Sequence, residues 1–140
     1  MSISKQPLQL IVEKQRNHFW GRIEGHGFMP AGQGKTMQKL IQNIKDSIDD
    51  YINHEGEKDK FWSKIDLSKV QFEIHYDVQA FFEQFDELKI NSIARNSGIN
   101  ESLMRQYATG RKHPSAEQAK KIDTAIHELV KKLESSYIYA

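Results

Sequence analysis

The chain has 140 residues, room for one ordinary domain or two small ones, and 38% hydrophobic content suffices for a packed core in either arrangement. It contains no cysteine, which excludes disulfides and thiolate metal sites and is compatible with a reducing cytoplasm. The net charge is +1, no apolar run approaches the length of a membrane span, and the N-terminus lacks an apolar core flanked by positive charge, so the chain reads as soluble and cytoplasmic.

Leu8, Leu10 and Val12 alternate with Gln9 and Glu13, and after a polar Lys14-Gln15-Arg16-Asn17 turn a second extended run carries Phe19, Gly21 and Ile23, which is a hairpin signal. The glycine-rich segment 25–34 has room for a short third strand around Phe28 and Met29. Thr36 then caps a helix whose Met37, Leu40, Ile41, Ile44, Ile48, Tyr51 and Ile52 form one apolar stripe, a face made to cover a sheet. Residues 53–60, Asn-His-Glu-Gly-Glu-Lys-Asp-Lys, read as a charged linker or loop. Beyond them Val70, Phe72, Ile74 and Tyr76 alternate with Gln71, Glu73 and His75 as a further strand. The order β-β-β-α-β predicts a small antiparallel sheet with a covering helix over residues 1–76.

Residues 77–140 read as all-α. Ala94 is a small residue in mid-helix, where a second helix crossing steeply needs close backbone approach. Gly98 supplies a turn position favouring positive φ, and Ile99 follows as an apolar plug. Asn100 is placed to cap a second helix, in which Leu103, Met104 and Tyr107 face inward and Glu101, Ser102, Arg105 and Gln106 face out. Gly110 ends that helix, and Arg111-Lys112-His113-Pro114-Ser115 forms a basic loop whose Ser115 caps the next one. Two short helices about a glycine turn, followed by a basic loop, suggest a DNA-reading helix-turn-helix. Charge points the same way: residues 89–121 carry seven basic side chains against two acidic ones, +5, while the chain as a whole is +1 and the remainder therefore −4. A solvated helix surface would produce the same asymmetry, so charge supports the motif without defining it.

Two enzyme readings fall to spacing. Gly32-Gln33-Gly34-Lys35-Thr36 before a helix suggests a phosphate loop, but the glycine needed five positions before Gly34 is Met29, and no acidic strand end follows to hold magnesium. A turn at Gly34 and a cap at Thr36 account for the same residues. Two-metal nuclease chemistry needs converging carboxylates, and the strands offer only Glu13, Glu24 and Glu73. His18, His26, His54, His75, His113 and His127 show no ligand spacing, so neither a metal site nor a catalytic set is assigned, and no cofactor is expected. His113 alone, beside the basic loop, is kept as a DNA-contact candidate.

The pair Ala94 and Gly98, then Gly110, Arg111, Lys112, Pro114, Ser115 and the run Ala119, Ile122, Ile126, Leu129, Leu133, resembles the phage-repressor and Cro-like (XRE) helix-turn-helix family. The likeness covers roughly residues 77–135; Ala108 departs from it, standing where many members carry glutamate. Phe19-Trp20-Gly21-Arg22-Ile23, Pro30, Gly34-Lys35-Thr36 and the Leu40-to-Ile52 stripe resemble the reduced RNase H-like N-terminal domain of HicB-type antitoxins, which commonly precedes a C-terminal DNA-binding unit. Glu24-Gly25-His26-Gly27 replaces the acidic residue and Leu-Pro-Gly often found there. The repressor register implies that Asn100, Glu101, Ser102 and Gln106 point into the major groove and that Arg111 and Lys112 contact phosphates; Arg105, on the outer face, can reach base edges or phosphates, and His113 stays a DNA-contact candidate. The two resemblances together imply a non-enzymatic, DNA-binding antitoxin: residues 1–76 bind a partner or self-associate, residues 77–140 read an operator as a dimer or higher even-numbered oligomer, and the partner is a small toxin ribonuclease. The rival is a phage-type repressor without a toxin, whose N-terminal domain dimerises or senses a ligand.

Overall fold

A computed structural model describes residues 7–140. The chain forms two compact units that divide between Ala80 and Phe81. The division falls inside a helix, beyond the expected boundary at residue 76, because Ala80 is itself fully buried in the core of the first unit.

In the first unit β1 (Leu8–Gln15), β2 (His18–Arg22), β3 (Ala31–Gly34) and β4 (Phe72–Tyr76) form one sheet in the order β3-β2-β1-β4. A two-residue turn joins β1 to β2, with Arg16 at φ 55°. The α+β class holds, but the sheet is mixed: β2 runs antiparallel to β1 and β3, whereas β4 runs parallel to β1, with Leu10 opposite Ile74. This corrects the expectation of an antiparallel sheet. The connection from β3 to β4 carries a whole helix, and such a crossover can return a strand in the direction of the one it joins.

That helix, α1 (Met37–His54), starts where the Thr36 hydroxyl accepts a hydrogen bond from the Lys39 amide at 3.1 Å. It lays Met37, Leu40, Ile44 and Ile48 on Leu8, Leu10, Val12, Phe19 and Ile23, all buried. A Cβ at Gly34 would lie 2.5 Å from the Leu40 nitrogen, so only glycine lets β3 pass this close beneath the helix.

The third strand lies later than expected. Gly25 and Gly27 adopt φ of +93° and +82°, which breaks any extended path through Phe28, and the Phe28 ring stacks on Tyr51 at 3.8 Å. The strand starts at Ala31, just after the Pro30 carbonyl accepts the Ile23 amide at 3.0 Å.

The charged segment 53–60 is also more ordered than a linker. Tyr51 donates its hydroxyl to Asp59 at 2.8 Å, and the other Asp59 oxygen accepts the Phe61 and Trp62 amides, both at 2.9 Å. These bonds, led by the Trp62 amide, hold the Asp59 carboxyl below its ordinary pKa. Asp59 thereby fixes the 3₁₀ turn Trp62–Lys64, which drives Trp62 into the core with no exposed surface. Two stacked pairs, His26 on Phe61 and Phe28 on Tyr51, meet Trp62 edge-on at 5.8 and 6.4 Å.

Four helices follow: α2 (Val78–Gln84), α3 (Ile90–Ser97), α4 (Glu101–Ala108) and α5 (Ala116–Glu134). In the second unit α3 packs on both α4 and α5, and Ile93, Ala94, Ile99, Met104, Tyr107, Ile122 and Ala125 are buried. Among the described residues no helix is long and apolar enough to cross a membrane.

Candidate nucleic-acid interface

The corner between α3 and α4 is built from local chemistry. Gly98 sits at φ 74°, ψ 21°, the left-handed conformation that ends a helix at little cost in glycine, and the Ile99 amide turns back to the Ala94 carbonyl at 3.0 Å. Ile99 is then buried beside Ala94, which has no exposed surface. One residue on, the Asn100 side-chain oxygen accepts the Ser102 and Leu103 amides at 2.8 and 3.2 Å, satisfying two donors that a helix start leaves without partners.

From that start α4 buries Met104 and Tyr107, while Leu103 is half-buried. Ser102 and Arg105 are exposed; Glu101 and Gln106 are half-buried. Thr109 and Gly110, the latter at φ +80°, end the helix, and the Lys112 amide folds back to the Gln106 carbonyl at 3.2 Å. Arg111, Lys112 and His113 stand exposed in the loop that follows. Ser115 accepts the Gln118 amide at 3.2 Å and starts α5.

The eight candidate residues fall into two groups. Three are already engaged. The Asn100 oxygen is taken up by its capping bonds, Glu101 pairs with Arg95 at 3.1 Å, and Arg105 donates to the Asn91 side-chain oxygen at 3.0 Å. Ser102, Gln106, Arg111, Lys112 and His113 make no side-chain bond to another described residue.

Sequence reasoning did not single out Asn91 and Arg95. Both lie on α3, and they orient α4 side chains from across the Gly98 turn. The signal available was the opposite charge of Arg95 and Glu101 on either side of that glycine. Lys120 and Lys121, part of the basic excess, border a shallow cleft between α3 and α5 together with Asn96 and Glu117.

The strand carboxylates of the first unit are paired rather than convergent. Arg22 donates to Glu13 at 2.7 Å and to Glu24 at 2.9 Å, bonds that raise its pKa, with Glu24 the larger cause. Glu73 pairs with His75 at 2.7 Å. Among the described residues no three histidine or carboxylate side chains gather where they could hold a metal ion. Beside Glu13 in the strand register stands Trp20, 42% exposed, on the sheet face turned away from α1.

Comparison with known proteins finds no matching family model, no matching curated protein and no matching solved structure.

Proposed function

We propose that the chain is a DNA-binding antitoxin that represses its own operon and neutralises a small toxin ribonuclease. One observation carries the DNA half of this reading. In α4, packed on α3 through a Gly98 turn, the Ser102 and Gln106 side chains bond no other described residue, Arg105 is held from α3, and a loop follows whose exposed Arg111, Lys112 and His113 side chains are likewise without a bond to a described residue. A helix with this makeup suits the major groove, where an amide side chain reads adenine and arginine reads guanine. The loop suits phosphates, which position a protein without reading sequence. In this function α3, α4 and α5 form a repressor-type helix-turn-helix unit, acting as a dimer or higher even-numbered oligomer on paired half-sites.

The partner half rests on the resemblance of the first unit to HicB-type antitoxins, together with Trp20, 42% exposed on the sheet face turned away from α1. Tryptophan and arginine, with tyrosine, are enriched at binding hot spots, and Trp20 and Arg22 lie two residues apart on one face of β2.

Duplex titration tests the DNA reading. The full chain should bind its own upstream region at least about a thousand-fold more tightly than scrambled DNA at physiological salt. Equal affinity for both would overturn it. Co-expression with the adjacent gene tests the partner reading: a small basic protein retained on the chain, and lost with Trp20→Ala, supports the antitoxin. Specific DNA binding with no retained partner would leave the phage-type repressor without a toxin.

A further inference from the structure

We propose that residues 126–139 form the surface through which two copies of this chain associate. Exposed large apolar side chains concentrate there. Outside this segment the described residues include only Trp20 and Met29 in that class, whereas Val130, Leu133, Tyr137, Ile138 and Tyr139 are 41–102% exposed. Isolated exposed apolar residues are ordinary, but five within residues 130–139 are not scattered singly, and such clustering marks an interaction site.

The patch continues a face that is already in use. Ile122 and Ala125 are buried against the rest of the second unit, Ile126 and Leu129 are half-buried, and Leu133 is 63% exposed. Ile126, Leu129, Val130 and Leu133 recur at spacings of three and four, while Glu128, Lys131 and Lys132 fall on the opposite side of α5. The helix therefore carries its apolar stripe past the point where its own unit ends.

Three considerations select a second copy as the occupant. First, within 126–139 Glu128 and Glu134 balance Lys131 and Lys132, so a like copy meets no net repulsion, and nothing in the charge invites a strongly acidic or basic partner. The polar face is also not the polybasic one that holds a helix on an anionic membrane. Second, burying two tyrosines at roughly 150–250 Å² each, with Val130, Leu133 and Ile138, would remove on the order of 600 Å² per copy, about 1,200 Å² in all, the lower end of stable interfaces. Third, the β3 edge of the sheet is a poor competitor. It is four residues long, and the Asn43 amide of α1 bonds its Gln33 carbonyl at 2.6 Å, capping one of the groups a pairing strand would need.

The inference leans on the proposed function only in that a two-fold dimer suits two half-sites, and it is measured without DNA. Sedimentation of the full chain between about 1 and 100 μM should show reversible dimers. Combined Leu133→Ser, Tyr137→Ser and Ile138→Ser should weaken association roughly 100-fold or more, since these side chains are the apolar anchors of the contact. Circular dichroism of the substituted chain should be unchanged at low concentration. Met29→Ser, which removes an exposed apolar residue elsewhere, should leave association as it was. A parent chain that stays monomeric at the top of this range, whether or not the segment then binds vesicles or another protein, overturns the proposal. So does a substituted chain that dimerises as tightly as the parent. Failure of DNA recognition would appear instead as loss of affinity for a single half-site, which these exposed substitutions leave untouched.

Discussion

Helices α1 and α5 are nearly equal in length and both amphipathic, yet they end differently. The α1 stripe is covered along most of its length, with Met37, Leu40, Ile44 and Ile48 all buried on one sheet. The α5 stripe is covered over Ile122 and Ala125 and then runs into solvent at Val130 and Leu133. Periodicity reports that an apolar face exists. What covers it is a separate question, answered by the fold in α1 and, in the proposed association, by a second copy in α5.

The sharpest break between the two helices should be in stability. Ile44→Ala removes a side chain with no exposed surface from a packed sheet-helix layer and should cost about 2–5 kcal/mol. Leu133→Ala, at 63% exposure, should change monomer stability by no more than about 0.5 kcal/mol. Urea denaturation at submicromolar concentration, where dimers dissociate, checks both. A large loss at Leu133 would mean that the end of α5 packs on its own chain.

A second contrast lies within the region around α4. Gln106→Ala should cost roughly 1–3 kcal/mol on the cognate site and relax preference at one base pair, whereas Arg111→Ala or Lys112→Ala should weaken all duplexes alike and lower the salt slope by about one unit each. Titrations on operator and scrambled DNA at several salt concentrations separate the two patterns. Equal losses on both DNAs for Gln106→Ala would count against Gln106 as a base-reading residue of α4.

Caps permit a matched comparison between the units. Thr36→Ala and Asn100→Ala each remove a helix-start acceptor, of one amide in the first case and two in the second, and each should cost about 1 kcal/mol. The Asn100 loss should be the larger. Thermal melts of the two variants side by side test the order.

These local features were readable because their causes lie within a few residues. Thr36, Asn100 and Ser115 cap where hydroxyl or amide side chains precede apolar periodicity, and Gly98 turns where the apolar spacing breaks. Features set by distant parts of the chain were not readable. Alternation in Phe72, Ile74 and Tyr76 fixes a strand but not its direction, which follows from the crossover through α1. Phe28 looked like strand because it is aromatic, though its ring belongs to Tyr51. Trp62 is not legible as core because Glu57-Lys58-Asp59-Lys60 beside it reads as solvent-facing, yet Asp59 is the residue that turns the chain inward. The Asn91–Arg105 bond joins positions on two helices whose packing no sequence period reports.

The Asp59 turn makes a pH prediction whose sign follows from its bonds. The folded carboxyl titrates below its ordinary range, so the stability it contributes is fully present above the unfolded value, near pH 4, and is lost as pH falls through the folded value. Trp62 fluorescence should therefore begin to shift in acid, and Asp59→Asn should flatten that part of the profile. An unchanged profile in the Asn variant would assign the acid response to other groups.

The smallest effect expected is at the Arg95–Glu101 pair. Its side chains are 65% and 42% exposed, so water and salt screen most of the attraction, and a double-mutant cycle should give only about 0.2–1 kcal/mol of coupling. That coupling should shrink further as ionic strength rises. On operator DNA the same pair should matter more, because Glu101 occupies the first turn of α4 and Arg95 neutralises it there. On the proposed DNA-binding face, Arg95→Ala leaves the Glu101 carboxylate without its partner beside a polyanion, and should reduce operator affinity by more than the stability cycle reports. An Arg95→Ala loss on operator DNA no larger than the stability coupling would count against this corner of α4 as part of a DNA-binding face.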